Sequence, residues 1–181
     1  MSENGGTSPL ERGNLWTSKE VAMHFRITGL DPAPFTPLFA MTDEELAGRR
    51  ARRATADEKP GFPCRVSLAD VDPGTEVLLL NYEHLPVESP YRASHAIFVS
   101  AGATRFDAID VIPPALRARL LSVRAFDAQG MMVDADVVDG SQAESLISRL
   151  LALDTVTYLH AHYARRGCFA ARIMRCEPEL T

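Results

Sequence analysis

The order of hydrophobic and polar positions predicts a strand-rich chain. Residues 23–28, MHFRIT, alternate in the period of a half-buried strand. Turn residues follow in GLDPAPF. Thr42 precedes Asp43, Glu44 and Glu45, and a hydroxyl cap ahead of an acidic first turn starts a helix that runs to about Arg50. Residues 57–64, DEKPGFPC, hold two prolines and a glycine, which suits a shaped loop and neither a helix nor a central strand. RVSLAD and EVLLLNYEH read as strands joined by VDPGT. The unbroken run Val77, Leu78, Leu79, Leu80 predicts burial on both faces of its strand. LPVESPYR is a second proline-bearing loop and ASHAIFVS the next strand. In PPALRARLL, Pro114 fits the first position of a helix. SVRAFD and MMVDADVV are strands linked near Gly130. In the latter, Val133, Ala135 and Val137 form a core face, and Asp134 and Asp136 share the other. Ser141 caps a helix over about 142–153, in which Ala143, Leu146, Ile147, Leu150 and Leu151 share one face. YLHAHYARRGCFAARI, residues 158–173, supplies two last strands and a short turn.

Strands outnumber helices, and most connections are too short for parallel crossovers. The expected fold is therefore α+β: a single domain with a mostly antiparallel β-sheet and two or three helices packed on one face. Residues 1–22, rich in Gly, Ser, Asn and charge, read as a flexible N-terminal arm that Trp16 pins to the body, with residues 23–181 as the domain.

Composition narrows the function classes. Nineteen Lys and Arg against 24 Asp and Glu give a formal charge of −5, which disfavours duplex nucleic acid as the main partner. The first residues lack the apolar core of a secretory signal, and no apolar run reaches membrane-spanning length, so a cytoplasmic location and no membrane partner are expected. Three cysteines, Cys64, Cys168 and Cys176, without a Cys-x-x-Cys pair, argue against a disulfide framework and a cysteine-built zinc site. The basic run GRRARR (Arg49, Arg50, Arg52, Arg53) complements the dipole at the end of the preceding helix and has no interleaved aromatics. No phosphate loop, dinucleotide fingerprint, nucleophile elbow or zinc-protease helix is present.

The candidate chemistry is concentrated in three segments. His160 and His162 stand two apart in a strand and so share a face. Two imidazoles there could bind a divalent metal with a carboxylate or Cys as third ligand, act as acid and base, or simply be half-exposed. What joins them depends on the turn. A three-residue loop, Arg165–Gly167, sets Arg172 opposite His160 and Ala170 opposite His162, with Cys168 on the same face. A four-residue loop starting at Ala164 turns Cys168 and Arg172 away and brings Phe169 and Ala171 in. The shorter loop is favoured because it keeps Phe169, Ala171 and Ile173 on one apolar face. In PGFPCRV, Pro60 and Pro63 stiffen a loop that presents Cys64, a candidate nucleophile or a buried small hydrophobe, beside Arg65. The segment NYEHLPVESPYRASHAIFV adds Tyr82, His84, Tyr91, Arg92 and His95; Arg65 and Arg92 suit a forked grip on carboxylate or phosphate. Paired Asp134 and Asp136 could hold a metal, but alternation with apolar residues is also what any amphipathic strand shows.

The segments FRITGLDPAPFTPLFAMTDEEL, DEKPGFPCRVSL, VLLLNYEHLPVESPYRASHAIFV, MMVDADVVDG and HAHYARRGCFAARI occur in an order that resembles the bacterial family catalogued as domain of unknown function 1203. The resemblance covers about residues 25–175. It implies a short, soluble bacterial protein and brings no activity, cofactor or catalytic residue with it.

The leading expectation is a small-molecule enzyme or ligand-binding domain with a Cys/His/Arg-lined pocket for an anionic ligand. Cys64, His95, His160 and His162 would carry chemistry, and Arg65, Tyr91, Arg92, Cys168 and Arg172 would hold the ligand. No metal ligand set and no cofactor is assigned. The alternatives are an interaction or structural module without catalysis, and a metal-binding protein using His160 and His162. Oligomeric state is left open.

Overall fold

A computed structural model describes residues 23–177; the arm expected at 1–22, with Trp16, lies outside them. Among the described residues, nine strands form two sheets. The larger has six strands in the order β5 (Asp107–Ile109), β1 (His24–Thr28), β9 (Phe169–Cys176), β8 (Tyr158–Tyr163), β6 (Leu120–Phe126) and β7 (Met132–Asp139). The smaller has three: β2 (Ala51–Thr55), β3 (Glu76–Leu85) and β4 (Ala93–Ser100). Every strand pair is antiparallel. The helices are α1 (Asp43–Gly48), α2 (Pro114–Arg117) and α3 (Ala143–Leu151). The chain is thus a mostly antiparallel α+β fold.

The main core lies where α3 covers the six-stranded sheet. Ala143, Leu146, Ile147, Leu150 and Leu151 meet Leu121, Val123, Leu159, Ala161 and Ile173, the apolar stripe that the helical period requires. A second core, with Phe35, Leu46, Cys64, Val66, Leu78, Leu80, Ile97 and Val99, backs the small sheet. Because side chains alternate along β8, Leu159 and Ala161 join the α3 core while His160 and His162 face the small sheet.

Four local expectations are corrected. RVSLAD is a turn and not a strand: Leu68 takes a positive φ of 51°, and its N–H donates to the Cys64 carbonyl. Its apparent alternation arises because Leu68 plugs the main core and Val66 the second. Only the second half of the basic run lies in β2: Arg49 is the C-cap of α1, Arg50, at φ 54°, turns the chain out of the helix, and Arg53, in β2, binds Glu76 and the carbonyls of Phe39 and Met41. Ser141 does not cap α3, whose N-cap is Gln142; instead the Asp139 carboxylate accepts from the Ser141 N–H and hydroxyl in a preceding 3-10 turn. Lastly, β7 is an edge strand on which Val133 and Val137 are exposed, so they form no core face. Asp134 and Asp136 do share a face, where Arg149 of α3 spans both at 2.9 and 3.1 Å.

Candidate functional site

Two β-bulges build the centre of the molecule. In the β8–β9 hairpin, Tyr163 pairs with Cys168 through its N–H, and Gly167 takes a φ of 73°. His162 then lies opposite Phe169, Ala161 opposite Ala171 and His160 opposite Arg172, so Ala170 is the extra residue of a bulge. The turn end follows the four-residue register and the far end the three-residue register, so neither expected register holds throughout. The bulge moves Phe169 off the apolar face and onto the histidines. A second bulge lies in β3, where Glu83 pairs with Ser94 and Leu85 with Ala93, leaving His84 between them.

The result is a cluster of four histidines between the sheets. His84, His160 and His162 are 8%, 2% and 0% exposed, so the half-exposed reading of His160 and His162 is excluded. His84 Nδ1 lies 3.4 Å from His160 Nδ1. His95 stacks in parallel on one side of His84, at 4.7 Å between centroids, and Phe169 stacks on His84 at 4.8 Å. Phe126 and Tyr158 also pack on His160. Burial, aided by Coulombic repulsion from neighbouring cationic groups, holds His84 down to about 4, His162 to about 3 and His160 to about 2. These three imidazoles are neutral at neutral pH. His84 Nε2, His162 Nε2 and His95 Nδ1 are buried without a hydrogen-bond partner among the described residues, at about 1–3 kcal/mol each.

A cleft of about 720 Å³ lies between the Glu58–Pro63 loop and the β8–β9 turn. Arg65, Arg119, Arg165 and Arg166 line it, against Glu58 and Asp139, so arginines outnumber carboxylates. Arg65 is 2% exposed. Its Nε donates to the Phe169 carbonyl at 2.7 Å and its Nη1 to the Pro63 carbonyl. It has no carboxylate partner among the described residues, and burial lowers its pKa. Arg119 grips Asp70 bidentately at 2.6 and 2.7 Å. The Tyr163 ring lies 4.8 Å from the Arg65 guanidinium and 5.1 Å from that of Arg119. Its buried hydroxyl has no partner among the described residues, and burial pushes its pKa up to about 12.

The structure divides the expected site residues among several places. Arg65 and Cys168 line the cleft, and His95, His160 and His162 form the cluster with His84. Cys64 is fully buried in the second core, where Ser100 Oγ lies 3.4 Å from its sulfur. Burial raises its pKa, but hydrogen bonds from Ser100 and the Ser67 and Val66 backbone leave it net lowered. Tyr91 is exposed, and Arg92 binds Glu83 and Glu88 at 2.6 and 2.7 Å. Arg172 is exposed, its guanidinium 4.3 Å above the Tyr158 ring. Arg119, Tyr163, Arg165, Arg166 and His84 were not selected from the sequence. His84 stands in the quoted NYEH segment, but only the bulge turns it inward.

Fold and site together define a two-sheet α+β domain with a buried histidine cluster and an arginine-lined cleft. The family described as "Protein of unknown function (DUF1203)" matches residues 61–175, more than half of the chain, and the chain belongs to that family. The matched span contains the four clustered histidines and the four cleft arginines. No curated protein and no solved structure matches the chain.

Proposed function

We propose that the protein binds a small molecule carrying a carboxylate or phosphate group in the cleft at Arg65. The observation that carries this reading is a guanidinium 2% exposed whose two hydrogen bonds go to neutral carbonyls. A buried cation without an opposite charge is strongly disfavoured, and an anion reaching the cleft supplies that charge. Tyr163 adds a buried hydroxyl without a partner among the described residues on the same wall, while Arg165 and Arg166 at the turn draw anions to the mouth. Cys168 stands on the lining as well and gives the pocket its thiol. Arg92, held by two glutamates, and the exposed Tyr91 and Arg172 have no part in this site.

The test is thermal unfolding of the protein with inorganic phosphate, pyrophosphate, succinate or citrate at matched ionic strength. An anion at 100 times its Kd stabilises the folded chain by about 2.7 kcal/mol. The rise in Tm should shrink in an Arg165→Ala, Arg166→Ala double variant, whose substitutions lie in a surface turn. The reading fails if none of these anions raises the Tm, or if the double variant responds as the wild type does.

A further inference from the structure

We propose that His84, His160 and His162 form a binding site for one divalent transition-metal ion of the zinc type, with its fourth coordination position open. The site is separate from the arginine cleft: the Phe169 carbonyl accepts from Arg65, whereas the Phe169 ring stacks on His84.

Geometry carries the proposal. One ring nitrogen from each of the three histidines falls within 4.8 Å of the others. The 3.4 Å between the Nδ1 atoms of His84 and His160 matches the ~3.3–3.4 Å between two nitrogens bonded at about 2.0–2.1 Å to a tetrahedral ion. The ring planes meet at 66°, 79° and 46°, so no two of the three are parallel, and binding one ion draws the nitrogens from within 4.8 Å to about 3.4 Å of one another.

The hydrogen bonding of His162 fits as well. Its Nδ1 lies 3.1 Å from the Gly167 carbonyl, an acceptor only, so Nδ1 carries the proton and donates. That fixes the tautomer in which Nε2 holds the lone pair. Nε2 is the buried atom of His162 that lacks a partner among the described residues. Apolar rings of Phe126, Tyr158 and Phe169 enclose the group. A His162 placed only for packing would leave its Nε2 desolvated for no return.

His95 is not a ligand. Its ring is parallel to His84 within 5° at 4.7 Å, so the in-plane lone pairs of the two rings cannot meet at one ion. An all-imidazole ligand set selects zinc, cobalt, nickel or copper over magnesium or calcium. Arg124, half-buried on β6 and without a carboxylate partner among the described residues, acts electrostatically on the three ligands. With an ion bound, an anion such as hydroxide or chloride at the open position balances the charge beside Arg124.

The test strips the full-length protein with a chelator and titrates it with zinc chloride by calorimetry. One equivalent should bind. His84→Gln and His162→Gln should each weaken binding by more than about 100-fold, beyond the effect of outer-shell changes, while His24→Gln, outside the cluster, should not change it. If the cluster variants do not fold, X-ray absorption of the wild-type zinc complex decides: a shell of nitrogen and oxygen containing three imidazoles supports the site. Binding of less than one equivalent, unchanged affinity in folded His84→Gln and His162→Gln, or sulfur at about 2.3 Å overturns it.

Discussion

Arg65 Nε donates to the main-chain carbonyl of Phe169 at 2.7 Å, across 104 positions of sequence. This bond ties the proline-stiffened loop of one region to the first residue of β9, and Phe169 is also the residue that the hairpin bulge turns onto the histidines. The arginine cleft and the histidine cluster therefore share one backbone anchor.

Replacing Arg65 separates binding from stability. Arg65→Met removes a buried charge but leaves the Phe169 and Pro63 carbonyls without their donor, effects that oppose each other. Stability should change by no more than about 1–2 kcal/mol in urea unfolding, while the anion-dependent rise in Tm disappears.

Asp70 has a structural task behind two cleft residues, Arg119 and Gly61. It is the carboxylate of the Arg119 pair and also accepts from the Gly61 N–H at 3.1 Å. Asp70→Ala leaves Arg119 unpaired beside the Tyr163 ring. Removing one partner of a buried pair costs about 3–5 kcal/mol, and the lower part of that range is expected because Arg119 keeps some solvent contact. The urea midpoint measures the loss.

The buried histidines set the acid limit of stability. Their folded pKa values lie below 6.5, at about 4, 3 and 2 for His84, His162 and His160. The unfolded chain therefore binds protons more readily, so the stability they contribute is present above about pH 6.5 and is lost as pH falls toward those values. Between pH 7.5 and 5.5 the three together should lower the unfolding free energy by about 4 kcal/mol, about 1.4 kcal/mol from each, most of it below pH 6.5. Metal-free protein should be used, since a bound ion shifts the same protons. Unfolding curves that coincide at the two pH values would show that these imidazoles are not held neutral.

Gly29 tests how tightly the Arg65 loop is placed. A Cβ there would stand 1.9 Å from the Val66 carbonyl oxygen, and the next residue donates its N–H to the Arg65 carbonyl. Gly29→Ala must push the loop away. It should cost about 1–3 kcal/mol and weaken anion binding, whereas Gly48→Ala, where a Cβ meets nothing within 4 Å, should do neither.

Much of the fold could be read from residue patterns, because helix and strand periods are local. The α3 stripe and the common face of His160 and His162 follow from spacing alone. The failures have physical causes. RVSLAD alternates like a strand because its apolar residues fill two cores from a turn. Val133 and Val137 look like a core face, but β7 is an edge. The site was less legible than the fold: a one-residue bulge at Ala170 joins two registers that spacing treats as exclusive, and another at His84 supplies the third imidazole from a different sheet. Arg165 and Arg166 read as turn residues, which they are, and only the position of the turn makes them cleft residues.

The most direct test of the anion site is a crystal structure of the protein with the anion that stabilises it most. The expected result is a carboxylate or phosphate oxygen at about 2.7–2.9 Å from a guanidinium nitrogen of Arg65, with the Tyr163 hydroxyl donating to the same group. An anion seated elsewhere, with Arg65 still bonded only to carbonyls, would contradict it.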